Sequence, residues 1–415
     1  MNFMITRRFF LKSGALAVAS LGAGLVLPSF LQRTALASPQ NRNKTFIVIF
    51  QRGAVDGLNT VVPFGDAAYY RARPTLAIAK PNSSDDQSAI DLDGFFGLHP
   101  ALNQFKPLYD AKTLAIVHAA GSPDSTRSHF DAQDYMEIGT PGKKSTPDGW
   151  LNRYLQANTN SNSKNEALRA IAIGNKQPRV MSGISPNLTI ANLNSFDLRG
   201  GAKTSSAFET MYGKSSDDII APAGTEALEA MGTIRKIRSS FYSPANGAVY
   251  PRGQFGNSLK QIAQLIKSDI GLEVAFADIG GWDTHTAQKP RLNQLLKEFG
   301  GGISALVKDL GDKMNDVVIV TMSEFGRTVR ENGTAGTDHG HANCMFVIGG
   351  SVKGGKIYGK WPGLEREQLY ENRDLAITTD FRTVCSEVIT KHCKAKDLTK
   401  IFPNFQAKTD LSLLA

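Results

Sequence analysis

Short apolar runs, each followed by glycine and polar residues, recur along the chain. They cover residues 46–50, 114–117, 170–173, 274–277, 317–320 and 345–348. Because the apolar residues are consecutive rather than alternating with polar ones, these runs are typical of strands that are covered on both faces. The pattern therefore predicts a buried and mainly parallel β-sheet.

Helical patterns lie between several of the predicted strands. They cover residues 100–109, 129–138, 259–266 and 292–310. Alternation of strands with helices predicts an α/β fold in which a mainly parallel sheet is sandwiched between helices. Sheets of this kind bind ligands at the carboxyl ends of their strands. The residues that follow each predicted strand are therefore the candidates for function.

Residues 200–250 interrupt this alternation. Leu228, Met231, Ile234 and Ile237 recur there at helical spacing, which predicts a helix whose apolar stripe packs in the core rather than forming a binding surface. The chain shows no internal repeat. We therefore predict a single domain over 38–415, with a helical insertion at about 200–250.

The N-terminus has the order of a secretory signal. The basic pair Arg7 and Arg8 precedes an apolar run over 14–31, and the small residues Ala35 and Ala37 follow at positions that a signal peptidase reads. We predict a signal peptide that ends at Ala37. The alternative is an uncleaved anchor, since about 18 apolar residues are marginally long enough to span a bilayer.

The paired arginines, followed by Phe-Leu-Lys, resemble a twin-arginine signal, which a receptor reads as an address. The resemblance implies export by the twin-arginine translocase to the periplasm or beyond. Outside the leader, no segment of the sequence is long and apolar enough to cross a membrane. We therefore predict no stable transmembrane span after cleavage.

Charge and cysteine content restrict the function further. The formal net charge is +9, and Arg7, Arg8, Lys12 and Arg33 of the leader supply four of these charges. The rest of the chain holds scattered charges without a basic stripe, which argues against nucleic-acid binding. The three cysteines are typical of small buried residues, and their pairing stays open; they are Cys344, Cys385 and Cys393.

Acids and imidazoles follow several of the predicted strands. These are Asp56, Asp283, His285, Glu324, His339 and His341. Carboxylates mixed with imidazoles suit Zn²⁺, Mn²⁺ or Fe²⁺ better than Ca²⁺. We predict that they hold a divalent metal, Zn or Mn. Two alternatives stay open: a polar network that only ties loops together, and, for Asp56 before Gly57, an ordinary turn.

Ser128 stands at the start of the helix predicted over 129–138. A serine here is a good N-cap, and its hydroxyl also faces the positive end of the helix dipole, which favours an anionic ligand or a developing alkoxide. We predict catalytic roles for Ser128 and for Arg127 and Arg327, which could steady an anion. Each arginine could instead pair with a nearby carboxylate.

Five motifs resemble those of a bacterial family known as domain of unknown function 1501. They are Arg52-Gly53-x-x-Asp56-Gly57-Leu58-Asn59, Ser128-His129-Phe130-Asp131-Ala132-Gln133, Gly281-Trp282-Asp283-Thr284-His285, Ser323-Glu324-Phe325-Gly326-Arg327-Thr328 and Gly336-Thr337-Asp338-His339-Gly340. That family is similar to the alkaline phosphatase and sulfatase superfamily. The resemblance implies an alkaline-phosphatase-like fold with an active site at the strand ends.

The resemblance also implies roles for individual residues. Asp56 takes the place of a metal-binding Asp after the first strand, and Ser128 that of a nucleophile that opens a helix. Asp283 and His285 resemble a metal-binding pair. Glu324 follows the strand that should deliver an Asp-His pair, but Phe325 stands where the His belongs. Either His339 or His341 could supply the last His ligand.

The sequence predicts an exported metal-dependent hydrolase of phosphate or sulfate esters, whose ligand would be an anionic small molecule or an envelope polymer. Ser128 is not followed by the Pro and Arg of formylglycine sulfatases, which argues against that mechanism. The alternative is a non-catalytic periplasmic scaffold or binding protein on a degenerate hydrolase fold. Phe325, which leaves the implied ligand set incomplete, motivates that alternative.

Overall fold

The computed structural model describes residues 44–158, 165–196, 210–211, 220–407 and 409–415. The predicted signal peptide over 1–37 lies outside the described residues, as does most of the first half of the predicted insertion. Within the described residues, no helix combines the length and the apolar character that crossing a membrane requires.

The secondary structure alternates between strands and helices along the chain. The strands are β1 (Thr45–Arg52), β2 (Val61–Val62), β3 (Ile90–Asp91), β4 (Gly97–Leu98), β5 (Leu114–Gly121), β6 (Ala170–Ile173), β7 (Leu188–Ile190), β8 (Val274–Gly280), β9 (Val317–Met322), β10 (Asn343–Gly349), β11 (Ile357–Tyr358) and β12 (Thr379–Asp380). The α-helices are α1 (Gly57–Thr60), α2 (Ala67–Ala72), α3 (Lys106–Asp110), α4 (His129–Ile138), α5 (Trp150–Ala157), α6 (Ile220–Ser239), α7 (Gln254–Lys267), α8 (Gln288–Leu310), α9 (Phe381–Lys391) and α10 (Leu398–Ile401). Each apolar run singled out in the sequence lies within one of these strands.

A nine-stranded sheet organises the described residues, with the order β11-β5-β10-β9-β1-β8-β6-β7 and β12 paired to β5. The central strands β9, β1, β8, β6 and β7 are mutually parallel. Strand β10 runs antiparallel to both β5 and β9. The predicted α/β fold with a mainly parallel central sheet is confirmed.

The sheet is covered on both faces, as its continuous apolar strands require. Ile47 and Ile49 of β1 pack into one core layer, which α7, α8 and the buried side of α6 complete. Phe46 and Val48 of the same strand point into the opposite layer, together with α5, α9 and α10. Because successive strand residues point to opposite faces, a strand buried on both sides has no polar alternation.

The predicted insertion contributes helix α6. Ile234 and Ile237 are buried in the core together with Ala230, whereas Leu228 and Met231 are only half-buried. The predicted core role of this stripe is therefore confirmed for its C-terminal half.

The three cysteines are free thiols. Cys385 lies within α9, which ends at Lys391, so Cys393 lies beyond the helix. Cys344 and Cys385 are buried, as small apolar side chains are.

The strands that carry the candidate residues end at one edge of the sheet. Arg52 at the end of β1 pairs with Gly280 at the end of β8, and Phe50 pairs with Met322 at the end of β9. The loops that follow these strands therefore begin next to one another in space.

Candidate metal centre

Three imidazoles and one carboxylate converge beyond this edge of the sheet. Nε2 of His339 lies 3.0 Å from Nε2 of His129 and 2.9 Å from Nε2 of His285. Oδ1 of Asp283 lies 3.0 Å from Nε2 of His285 and 3.3 Å from Nε2 of His339, and Oδ2 lies 3.4 Å from Nε2 of His129. We call these four side chains the His/Asp cluster.

The hydrogen bonds around the cluster orient its imidazole nitrogens as a metal site would require. Each Nδ1 is held by an oxygen outside the cluster: Glu324 for His129 at 2.8 Å, Asp338 for His285 at 2.9 Å, and the backbone carbonyl of Arg127 for His339 at 2.8 Å. Those oxygens accept, so each Nδ1 carries a proton and each Nε2 is the nitrogen that faces the cluster. Three Nε2 atoms and a carboxylate that face one another could hold a cation.

Three side chains of the cluster lie close enough together to hold one metal ion. One ligand atom from each of His129, Asp283 and His339 lies within 4.8 Å of the other two. His285 adds a third imidazole at the more exposed side. A set of nitrogen ligands with one carboxylate oxygen is typical of Zn²⁺, which takes four ligands from His, Cys, Asp or Glu.

Two glycines allow the loops that carry these ligands to approach. Gly53 follows β1 with φ at +116°, and a Cβ atom there would lie 2.7 Å from the backbone nitrogen of Asp283. A Cβ atom on Gly340 would lie 2.4 Å from the backbone of Arg327. Larger residues at these positions would push Asp283 and His339 away from the cluster, because such contacts are shorter than real Cβ atoms make.

Glu324 supports the cluster from behind. Its buried Oε1 accepts hydrogen bonds from His129, Gln133 and the backbone N–H of Gly53, each at 2.8 Å. Burial works to raise the pKa of Glu324, but these hydrogen bonds outweigh it and hold the pKa below its ordinary value. The structure thus places Glu324 against the far nitrogen of His129, as the carboxylate that orients a metal-binding imidazole does.

Replacing Glu324 by glutamine is expected to weaken zinc affinity by about 10–100-fold, the range typical of partners that orient a metal ligand. The neutral amide accepts from Nδ1 of His129 more weakly than the carboxylate does, and it can also turn its NH2 group toward that nitrogen, although it retains the size of the carboxylate. Zinc titration by calorimetry measures the effect. Unchanged affinity in a folded Glu324→Gln protein would contradict this role.

Arg327 holds the carboxylate of the cluster. It is fully buried, its Nη1 donates to Oδ1 of Asp283 at 2.7 Å, and its other nitrogens bind the hydroxyl and the carbonyl of Thr337. Partial burial works to raise the pKa of Asp283, but Arg327 and the neighbouring imidazoles hold it below its ordinary value. The structure therefore directs this guanidinium at a ligand of the cluster.

Arg127 is likewise engaged with carboxylates. Its guanidinium binds the buried Asp374 at 2.7 Å and Glu371 at 2.6 Å, and Arg373 binds the same Asp374 at 2.9 Å. This ion-pair network fixes the segment whose backbone carbonyl orients His339. Arg127 thus lies one residue layer away from the His/Asp cluster.

Phe325 packs against the imidazoles. Its ring stacks on His129 with centroids 5.0 Å apart and lies 5.1 Å from the ring of His339. The side chain is buried with Ala54 and Ala132. An apolar ring therefore restrains two ligands of the cluster at the position where the resemblance implied a histidine.

Ser128 directly precedes His129 of the cluster in the chain. It is the N-cap of α4, and its hydroxyl accepts a hydrogen bond of 3.5 Å from the backbone N–H of Asp131. The side chain is exposed. Its chain neighbours are His129, a member of the cluster, and Arg127, whose carbonyl orients His339.

The remaining two predicted ligands have other partners. Asp56 is buried and pairs with Arg73 at 2.6 Å, and it also accepts hydrogen bonds from Gln288 and from the backbone N–H of Asn59. The ring of His341 stacks on Tyr370 with centroids 4.1 Å apart. The structure brings neither side chain into hydrogen-bond contact with the His/Asp cluster.

The pKa values of His129 and His339 are shifted in opposite directions. The hydrogen bond to Glu324 raises the pKa of His129. Burial lowers the pKa of His339, and the charges of His129 and Arg327 lower it further. The ring of His339, which touches both other imidazoles, is therefore held in the neutral form that binds a metal.

Two residues of the site were not predicted from the sequence. One is His129 as a member of the cluster, and the other is Asp338, which holds Nδ1 of His285 as Glu324 holds that of His129. Their positions in the chain could have indicated both: His129 directly follows Ser128, and Asp338 directly precedes His339. Asp374 carried no such signal, because it lies in a polar stretch far along the chain from Arg127. Only folding brings those two together.

Comparison with known proteins shows the family to which the chain belongs. Residues 43–400 match the family described as "Protein of unknown function (DUF1501)". The chain belongs to this family, and the prediction of that membership is confirmed. No curated protein matches the sequence.

Solved structures that are similar to the chain match it at low sequence identity. The C-terminal periplasmic domain of EcEptC from Escherichia coli is 10% identical, with 90% of each chain covered and a TM-score of 0.40. Ps i-CgsB in complex with k-i-k-neocarrahexaose is 10% identical, with 86% of this chain and 73% of that chain covered and a TM-score of 0.41. The soluble domain of lipooligosaccharide phosphoethanolamine transferase A from Neisseria meningitidis is 9% identical, with 77% and 85% covered and a TM-score of 0.37. Identities and scores at this level assign no activity to the chain.

Proposed function

We propose that the protein is an exported metal-dependent hydrolase of phosphate or sulfate esters. One observation carries this proposal: three imidazole nitrogens and the carboxylate of Asp283 converge at the carboxyl edge of a mainly parallel sheet, and one of these imidazoles, that of His129, directly follows the exposed Ser128 in the chain. Zinc is the metal that fits the ligand set best: His129, His339 and Asp283 would hold it, and the fourth position, on the side of His285, would stay open for the ester, as catalytic zinc sites require.

A metal bound in the cluster would polarise an ester oxygen and lower the pKa of a nearby hydroxyl. The protein's own residues supply the positioning. Glu324 and Asp338 orient two of the imidazoles, and Arg327 orients the carboxylate of Asp283. Ser128 opens the ten-residue helix α4, so its hydroxyl faces the positive end of a helix dipole, which favours its ionised form during attack on the ester.

Replacing Ser128 by alanine is expected to reduce the turnover of p-nitrophenyl phosphate and p-nitrophenyl sulfate by at least about 100-fold, the lower range for the loss of a group that acts in the transition state. Zinc content should stay unchanged, because the hydroxyl holds no ligand of the cluster. Kinetics on zinc-loaded protein, together with metal analysis, measure both. A matched control is Ser125→Ala, which removes a serine from the same loop.

A second candidate is a non-catalytic binding protein on the same fold. The observation that favours it is that both candidate anion-binding arginines are engaged: Arg327 with Asp283, and Arg127 with Asp374 and Glu371. The zinc-loaded protein would then turn over neither ester. A partner recovered stoichiometrically by both wild type and Ser128→Ala would support this candidate.

Export by the twin-arginine route remains part of the proposal. A reporter that is active only after folding in the cytoplasm, fused behind residues 1–37, is expected to reach the periplasm. Replacing both Arg7 and Arg8 by lysine should retain the fusion in the cytoplasm, because the receptor reads the arginine pair. Fractionation measures the outcome, and periplasmic arrival of the lysine variant would contradict the route.

A further inference from the structure

A cavity of about 390 Å³ opens at the carboxyl ends of β6 and β8, beside the last residue of β1. Its wall includes Arg52, Asp278 and Phe276 from the sheet and Asn175 and Lys176 from the loop after β6. The volume lies within the range of about 300–1,000 Å³ that is typical of small-molecule sites. The proposed hydrolase chemistry makes no use of this cavity.

Hydrogen bonds connect the cavity wall to the His/Asp cluster. Nη1 of Arg52 donates to Oε1 of Gln133 at 3.0 Å, and Nε2 of Gln133 donates to Glu324 at 2.8 Å. Glu324 in turn accepts from His129 of the cluster at 2.8 Å. A group in the cavity would therefore lie on the same sheet edge as the cluster, one layer of side chains away.

Two of the three basic side chains of the cavity wall, Arg52 and Arg179, form ion pairs within the protein, and the third, Lys176, forms none with the described residues. Arg52 pairs with Asp278 at 2.7 Å and with the buried Glu137 at 2.8 Å. Arg179, another wall residue, pairs with Asp134 at 3.1 Å. A polyanion would have to compete with these ion pairs, whose members are already matched in geometry and charge. The cavity is therefore better suited to a ligand without strong negative charge.

The polar groups of the rim have unused hydrogen-bonding capacity. The side chains of Asn175, Lys176 and Gln254 are exposed and make no hydrogen bond to the described part of the chain. Amides can both donate and accept, which matches hydroxyl groups. Phe276 and Ile173 line the same wall but are each only 3% exposed, so the exposed groups of the cavity are mainly polar.

We propose that this cavity is a binding site for an uncharged sugar unit. Hydroxyl groups would bond to the rim amides and to the side of Asp278 that is not paired with Arg52. Taken with the proposed function, on which this extension rests, the substrates would be phosphate or sulfate esters carried on a saccharide. The sugar site itself stands on the cavity alone.

Saturation-transfer NMR with cellobiose, lactose and N,N′-diacetylchitobiose as separate probes tests the site. We expect transfer from at least one disaccharide to wild type, and loss of that transfer in Asn175→Trp, whose indole would occupy the cavity. Lys297→Trp, on the exposed face of α8, is the matched control and should retain the signal. His339→Ala should also retain it, which separates sugar binding from the metal centre.

Three results would overturn the sugar site: no transfer from any of the three disaccharides, transfer that survives Asn175→Trp, or binding of heparin alone that Lys176→Glu abolishes. The last result would assign the cavity to polyanions. Failure of ester hydrolysis leaves these measurements unaffected, so the sugar site and the hydrolase proposal fail separately.

Discussion

Replacing His339 by alanine is expected to abolish zinc binding, with a loss in affinity of more than about 100-fold, since even a partner that only orients a metal ligand contributes about 10–100-fold. Its Nε2 contacts the Nε2 atoms of both His129 and His285 and lies 3.3 Å from Asp283. Removing it separates the two remaining imidazoles. Calorimetric titration of the metal-free protein with zinc measures the loss.

His341 provides the matched control for this experiment. It lies two residues further along the same loop, but its ring stacks on Tyr370 rather than facing the cluster. His341→Ala should therefore bind zinc as the wild type does. The sequence left open which of the two histidines is the ligand; loss of binding in His341→Ala with retention in His339→Ala would reverse the assignment.

The same pair of proteins should differ in thermal stability. A ligand that binds only the folded state stabilises it by an amount that grows with concentration above the dissociation constant, about 2.7 kcal/mol at a hundredfold excess. Zinc should raise the melting temperature of wild type and of His341→Ala but not that of His339→Ala. This readout does not depend on any enzymatic activity.

Replacing Asp56 by asparagine is expected to lower the free energy of unfolding by about 3–5 kcal/mol, the range for breaking a buried ion pair by removing one partner. Asp56 and Arg73 are 1% and 0% exposed at their side chains. The substitution leaves the guanidinium of Arg73 buried without its carboxylate. Zinc affinity should stay at the wild-type value, because Asp56 contacts none of the cluster side chains through its hydrogen bonds.

Urea unfolding and zinc titration of the same Asp56→Asn sample check both parts. Asp110→Asn is the control for stability: it removes an exposed carboxylate that pairs with Lys106, and such surface pairs contribute only about 0–1 kcal/mol. A folded Asp56→Asn protein that no longer binds zinc would show that Asp56 is a metal ligand, as the family resemblance implies.

Most of the fold follows from local pattern. The continuous apolar runs predicted the central strands because a strand covered on both faces has no polar side, and the helix over 129–138 was predicted to the residue from its N-cap and its spacing. The apolar pattern could not predict that β10 runs antiparallel to its neighbours. An antiparallel strand and a parallel strand share the same apolar pattern, and only the connection between them decides.

For the candidate site, the sequence by itself determined which chemical groups the loops carry: imidazoles and carboxylates after strands that end at one edge. Tertiary structure decided which of them meet. Asp283, His285 and His339 converge with His129, whereas Asp56 pairs with Arg73 and His341 stacks on Tyr370. The physical reason is that a side chain's role depends on the partner nearest in space. Packing of loops distant along the chain selects that partner, and no local pattern records it.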